Sequence, residues 1–77
     1  MEFKEFLMSE YLLGKKSAED YVSRFNGIVE RGIYNGESEF TPSMKATIEA
    51  EFPNSKNHYL LTLKRYIEFK KRKNDFS

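Results

Sequence analysis

The stretch SAEDYVSRFNGIVERG, residues 17–32, decides the fold. Within it Ala18, Tyr21, Val22, Phe25, Ile28 and Val29 follow one another at intervals of 3, 1, 3, 3 and 1 residues. That is the recurrence of one buried stripe on a 3.6-residue helix, not the two-residue alternation of a half-buried strand. Ser17 reads as the N-cap of this helix. Glu19 and Asp20 read as first-turn acids, where the exposed N–H groups favour negative charge. Gly32 marks its end. Arg24 and Arg31, seven residues apart, fall on the outward side.

Upstream, residues 2–13 read as a first helix. Phe3, Phe6 and Leu7 share one side, and Tyr11 or Leu13 continues it. Gly14 suits a left-handed C-cap, and Lys15 and Lys16 form a short basic connection. Downstream, Asn35-Gly36 is a turn signal. Arms long enough for a hairpin are lacking, so residues 32–41 read as a loop pinned to the core by Ile33, Tyr34 and Phe40. Thr41 followed by Pro42 opens a third helix as N-cap and first helical residue. Met44, Ile48 and Phe52 mark its buried side, and Pro53 stops it. Ser55 caps a fourth helix reaching about Lys73. Leu60, Leu63 and Ile67 form its core stripe, flanked by Tyr59 and Tyr66. His58, Arg65 and Arg72 share its far side, bordered by Leu61 and Phe69. The expectation is an all-α bundle of four helices with one long irregular loop between the second and third. It forms a single domain over residues 1–73 with a frayed tail at 74–77.

A chain of 77 residues is one domain. A domain this small buries only about 60% of its unfolded surface. Its twelve aromatic residues (seven Phe, five Tyr) are therefore needed in the core, each removing roughly 150–250 Å² from water. Tyr21, Phe25 and Leu63, on the central stripes, should rank among the most buried residues. With no Cys, disulfides, thiolate metal sites and thiol nucleophiles are all excluded. The single His58 excludes a histidine-rich metal site. No apolar run reaches the roughly 18 residues of a membrane span. The start, MEFKEFLMSEYLL, lacks the basic opening and uninterrupted apolar run of a signal peptide. The expectation is a soluble cytoplasmic protein without a membrane partner.

Catalytic signatures are missing as well: there is no GxxxxGK, HExxH or GxSxG. The acidic pairs Glu19/Asp20, Glu37/Glu39 and Glu49/Glu51 fall on helix exteriors or in the loop, as solvated charge does. The reading is a non-enzyme with no catalytic residue, metal, cofactor or small-molecule substrate.

Charge carries more information. The net charge is +1, but residues 1–55 hold 6 basic and 10 acidic side chains, and residues 56–77 hold 7 basic and 2 acidic. Such a division points to an anionic partner for the C-terminal part. Lys64, Arg65, Lys71 and Arg72 lie on one broad side of the fourth helix, Arg24 and Arg31 outside the second, and Lys15 and Lys16 at its entrance. If helices two and four are neighbours, the eight join into a surface for phosphates. Tyr59 and Tyr66 fit better as core flanks than as phosphate donors.

The order of residues resembles the N-terminal, SAM-like core-binding domain of phage integrases and other tyrosine recombinases. Phe6-Leu7 with Tyr11-Leu12 stand where that family's first helix has its apolar pairs. Ser17, Tyr21 and Phe25 match its cap, Tyr and apolar positions in the second. Ser55, Asn57, Leu63, Tyr66 and Phe69 match the pattern of its last helix. The likeness runs from residue 6 to residue 69. It implies a four-helix domain forming half of a clamp around duplex DNA, with helices two and four toward the DNA. The chain would then be a fragment of a recombinase or a free-standing phage or mobile-element protein. The loop at 32–41 is longer than is usual in the family. The recombinase catalytic set is absent, and none of the five tyrosines inherits the nucleophile's role. The alternative is a protein-interaction module on the same fold, a small regulator or inhibitor of a host protein, with Leu61 and Phe69 as its apolar contacts.

Overall fold

The computed structural model of the chain describes residues 3–75. They form four helices: α1 (Phe3–Glu10), α2 (Lys15–Glu30), α3 (Pro42–Glu51) and α4 (Lys56–Asp75). No strand occurs among the described residues. The chain is an all-α bundle with one long irregular loop between α2 and α3.

α4 is the organising element, because α1, α2 and α3 all pack on it. Its Leu63 and Ile67 are buried with Ile28 of α2, Met44 and Ile48 of α3, and the loop residues Ile33 and Tyr34. Its Phe69 closes a second cluster with Phe3, Phe6 and Leu7 of α1 and Ala18 of α2. Phe25 and Tyr66 pack against both clusters. Their rings stack with centroids 3.8 Å apart. The pair joins the two clusters into one core by off-centre aromatic stacking.

Helix ends follow local chemistry, not always as expected. Thr41 caps α3 by accepting from the Met44 N–H (3.2 Å), with Pro42 at the first turn. The end of α2 is tighter still. Gly32, at φ +71°, donates to Val29 O (3.0 Å), and Ile33 donates to Ile28 O (3.2 Å). This doubly bonded terminus needs a left-handed residue at Gly32 and brings Ile33 onto Ile28. The start of α2 differs from expectation. Gly14, with φ −69° and ψ 164°, is the extended residue before the helix, not a left-handed C-cap of α1. Ser17 therefore lies inside α2, and Glu19 and Asp20 fall in its second turn. α1 ends at Glu10, short of residue 13. The left-handed position belongs to Leu12, at φ +53°, a conformation that costs a non-glycine residue roughly 1–2 kcal/mol.

Other expectations also change. Tyr21 and Phe25 are only half-buried, and Val29 is 45% exposed, whereas Leu63 is fully buried. Phe69 is 8% exposed; α1 covers it with Phe3 and Phe6, and it offers nothing to a partner. Of the tail expected to fray, Asn74 and Asp75 continue α4, and residues 76–77 lie outside the described residues. The loop is well tied. Tyr34 donates through its hydroxyl to Glu37 O (2.9 Å), the Asn35 side-chain amide to Gly32 O (3.0 Å), and Lys70 Nζ from α4 to Gly36 O (3.1 Å).

Candidate nucleic-acid interface

α2 and α4 run antiparallel, with Tyr21 against Arg65 at one end of the contact and Gly27 against Tyr59 at the other. Thr62 of α4 is fully buried and turns its hydroxyl back onto its own helix, donating to His58 O (2.7 Å).

Two arginines converge on Tyr21. Arg65 donates through Nη1 to the Tyr21 hydroxyl (2.7 Å), and its guanidinium lies 4.1 Å from the Tyr11 ring centroid and 5.2 Å from that of Tyr21. Arg24 places its guanidinium 5.6 Å from the same Tyr21 ring. Both arginines are half-buried. Among the described residues neither has a carboxylate at ion-pair distance, although Asp20 lies one turn before Arg24. Two cations with aromatic but no ionic partners attract an anion. Lys15 and Lys16 stand exposed at the first turn of α2. Both act on Glu19, whose carboxyl is held below its usual range chiefly by a hydrogen bond from Lys4 (3.1 Å) and the Lys4 charge, with smaller contributions from Lys15 and Lys16.

The remaining candidates are not equivalent. Arg31 lies 4.5 Å from the Phe52 ring centroid, bonds to Gly27 O and pairs with Glu51 (3.5 Å). Arg72 pairs with Glu68 (3.3 Å) and with Glu10 at the end of α1. Neither Arg31 nor Arg72 carries an uncompensated charge. Lys64 and Lys71 are exposed on the other flank of α4, and Lys64 Nζ lies 5.3 Å from the Phe40 ring of the loop. The eight basic residues therefore divide. Arg24 and Arg65 meet on Tyr21, Lys15 and Lys16 stand in the first turn of the same helix α2, Lys64 and Lys71 are exposed elsewhere on α4, and Arg31 and Arg72 are neutralised.

Tyr11 and Tyr21 belong to this site, although apolar periodicity assigns them to the core alone. The available signal was Tyr21 and Arg24 at i and i+3 on one helix face, where the two side chains meet. Tyr59 and Tyr66 are core flanks: Tyr59 stacks on Phe52 at 3.7 Å, as Tyr66 does on Phe25. Leu61, on the outer side of α4, is 40% exposed.

An open cleft between α1 and α2 is lined by Phe3, Lys4, Glu5, Glu19 and Val22. Its Lys4 and Glu19 are paired with each other, and it brings together no nucleophile and base. No described helix is long and apolar enough to cross a membrane. No protein-family model, no curated protein and no solved structure matches the chain.

Proposed function

We propose that the chain is a non-catalytic DNA-binding domain of the integrase N-terminal type, gripping duplex phosphates with Arg24, Arg65, Lys15 and Lys16. The observation that carries this reading is the convergence of Arg24 and Arg65 on Tyr21 without a carboxylate partner among the described residues. Each guanidinium keeps N–H donors that no carboxylate takes up, and arginine's planar fork suits a phosphate better than a point charge does. The placement on α2 and α4 agrees with the side that the resemblance turns toward DNA. Four cations neutralise three or four phosphates. Since each phosphate contributes about −0.9 to the dependence of log affinity on log salt, the slope is roughly −3 to −4. Affinity then falls about 100-fold between 50 and 200 mM salt. Counting all eight basic residues would double that slope; the ion pairs of Arg31 and Arg72 remove two of them, and the position of Lys64 and Lys71 away from Tyr21 removes the other two.

Fluorescence anisotropy with a labelled 20-bp duplex across that salt range tests the proposal. Arg24→Ala lowers the slope by about 1. Lys64→Ala with Lys71→Ala leaves it unchanged. Sequence preference is weak, because phosphate contacts position a protein without reading bases. Absence of salt-sensitive binding at low ionic strength overturns the reading. One observation favours a second reading, a protein-interaction module: Leu61 stands exposed on the outer side of α4. Leu61→Asp separates the two, since it abolishes binding of a protein partner but leaves the phosphate grip intact.

A further inference from the structure

Among the described residues four large apolar side chains are exposed: Met8 on α1 (38%), Leu12 in the α1–α2 connection (87%), Val29 on α2 (45%) and Leu61 on α4 (40%). They stand on different elements. Single exposed apolar residues at about 40% are ordinary on any protein surface. Leu12 is different in kind. It is about twice as exposed as the others and occupies a left-handed backbone conformation at φ +53°.

Its neighbours hold it there. Tyr11 donates its N–H to Leu7 O (3.1 Å), and its ring packs against Phe6 and beneath Arg65. Leu13 is half-buried against the α1 cluster. With both flanking side chains turned inward and φ positive between them, the Leu12 side chain is held out into solvent by anchored residues on either side. Cations are near it along the chain and beside its neighbour: Lys15 and Lys16 follow three and four residues on, and Arg65 lies over the ring of the adjacent Tyr11, while Glu10, two residues before, is paired with Arg72.

One projecting apolar side chain with cations close by offers a protein partner little breadth. It does suit DNA whose base steps are parted by an inserted side chain while flanking phosphates are held. We propose that Leu12 is a wedge that enters the minor groove of the bound duplex, partly unstacks one base step and bends the DNA. The proposal rests on the DNA-binding reading above and adds to it a deformation that phosphate contacts alone do not produce. Readily unstacked pyrimidine–purine steps such as TA should then be favoured, a preference arising from deformability rather than base contacts.

The full chain and a 20-bp duplex test this directly. One duplex carries a donor and acceptor dye at its ends, and another carries 2-aminopurine at a central TA step. With wild type, energy transfer between the ends rises and 2-aminopurine fluorescence increases several-fold. Leu12→Ala, at an exposed position, keeps its circular dichroism spectrum and the salt slope of binding but loses both optical responses. Leu12→Phe, a larger wedge, keeps them. Salt-dependent binding by wild type without either response, or responses that persist in Leu12→Ala, overturns the wedge and leaves the phosphate grip standing. Absence of binding by wild type overturns both.

Discussion

The Arg65 guanidinium joins three elements: it leaves α4, bonds to Tyr21 of α2 and covers Tyr11 at the end of α1. A charged hydrogen bond at 2.7 Å contributes about 1.5–3 kcal/mol when shielded, and a part-exposed cation–π contact about 0.5–1 kcal/mol. Arg65→Ala should therefore cost about 2 kcal/mol in urea denaturation and Tyr21→Phe about 1 kcal/mol, with the double variant costing less than the sum. Strict additivity would mean that the bond contributes nothing. Helical spacing correctly gives the direction in which Arg65 leaves α4. It does not give where the charged end of a long, flexible side chain comes to rest, and that end carries the chemistry. The same limit hid the pairing of Arg72 with Glu10, a residue 62 positions away. Glu19 supplies a separate test at this scale. Its carboxyl is held below the usual range chiefly by the Lys4 hydrogen bond. Stabilisation from a lowered carboxyl is present above the unfolded-state value and is lost as pH falls through the folded one. Wild type should melt slightly above Lys4→Met at neutral pH, and the difference should narrow as the solution is acidified. A difference that grows in acid would contradict the assignment.

Helix boundaries were legible where a cap's chemistry has one solution. Thr41-Pro42 admits a helix start and little else, and Gly32 after an apolar stripe admits a left-handed stop; the structure has both. Between α1 and α2 the sequence offers two competing solutions. Gly14 is the residue best suited to positive φ, and Ser17 the one best suited to cap, yet Leu12 takes the positive φ and Gly14 precedes the helix. Burial of Leu13 and Ala18 in the α1 cluster outweighs the local preferences, and no pattern read within a few residues contains that term. The ends of the elements should respond accordingly. Thr41→Ala, which removes the bond to Met44, should destabilise by about 1 kcal/mol. Leu12→Gly should stabilise by up to about 1 kcal/mol, because it relieves the left-handed strain and sacrifices no burial. Thermal melts of the two variants check both signs, and a lowered Tm for Leu12→Gly would mean that Leu12 has a packing role its exposure does not reveal.

At the scale of the molecule, four amphipathic segments around a central α4 were readable from apolar spacing, because burying those stripes leaves a small chain few arrangements. The charge distribution was readable only along the chain. Residues 1–55 are acidic and residues 56–77 basic, but folding sets Glu10 and Glu68 on Arg72, and Glu51 on Arg31. Among the described residues, Arg24 and Arg65 on Tyr21 keep their charge without an ion pair, with Lys15 and Lys16 in the first turn of the same α2. The measurement that bears most directly on this placement is a two-dimensional ¹⁵N–¹H NMR titration of the domain with a short duplex at low salt. The account predicts shift changes at the amides of residues 11–16 and of Tyr21, Arg24 and Arg65, fading as salt is added, with Lys45 and Glu49 on α3 unmoved. Changes centred instead on Leu61, Lys64 and the loop around Phe40, or none at duplex excess, would contradict it.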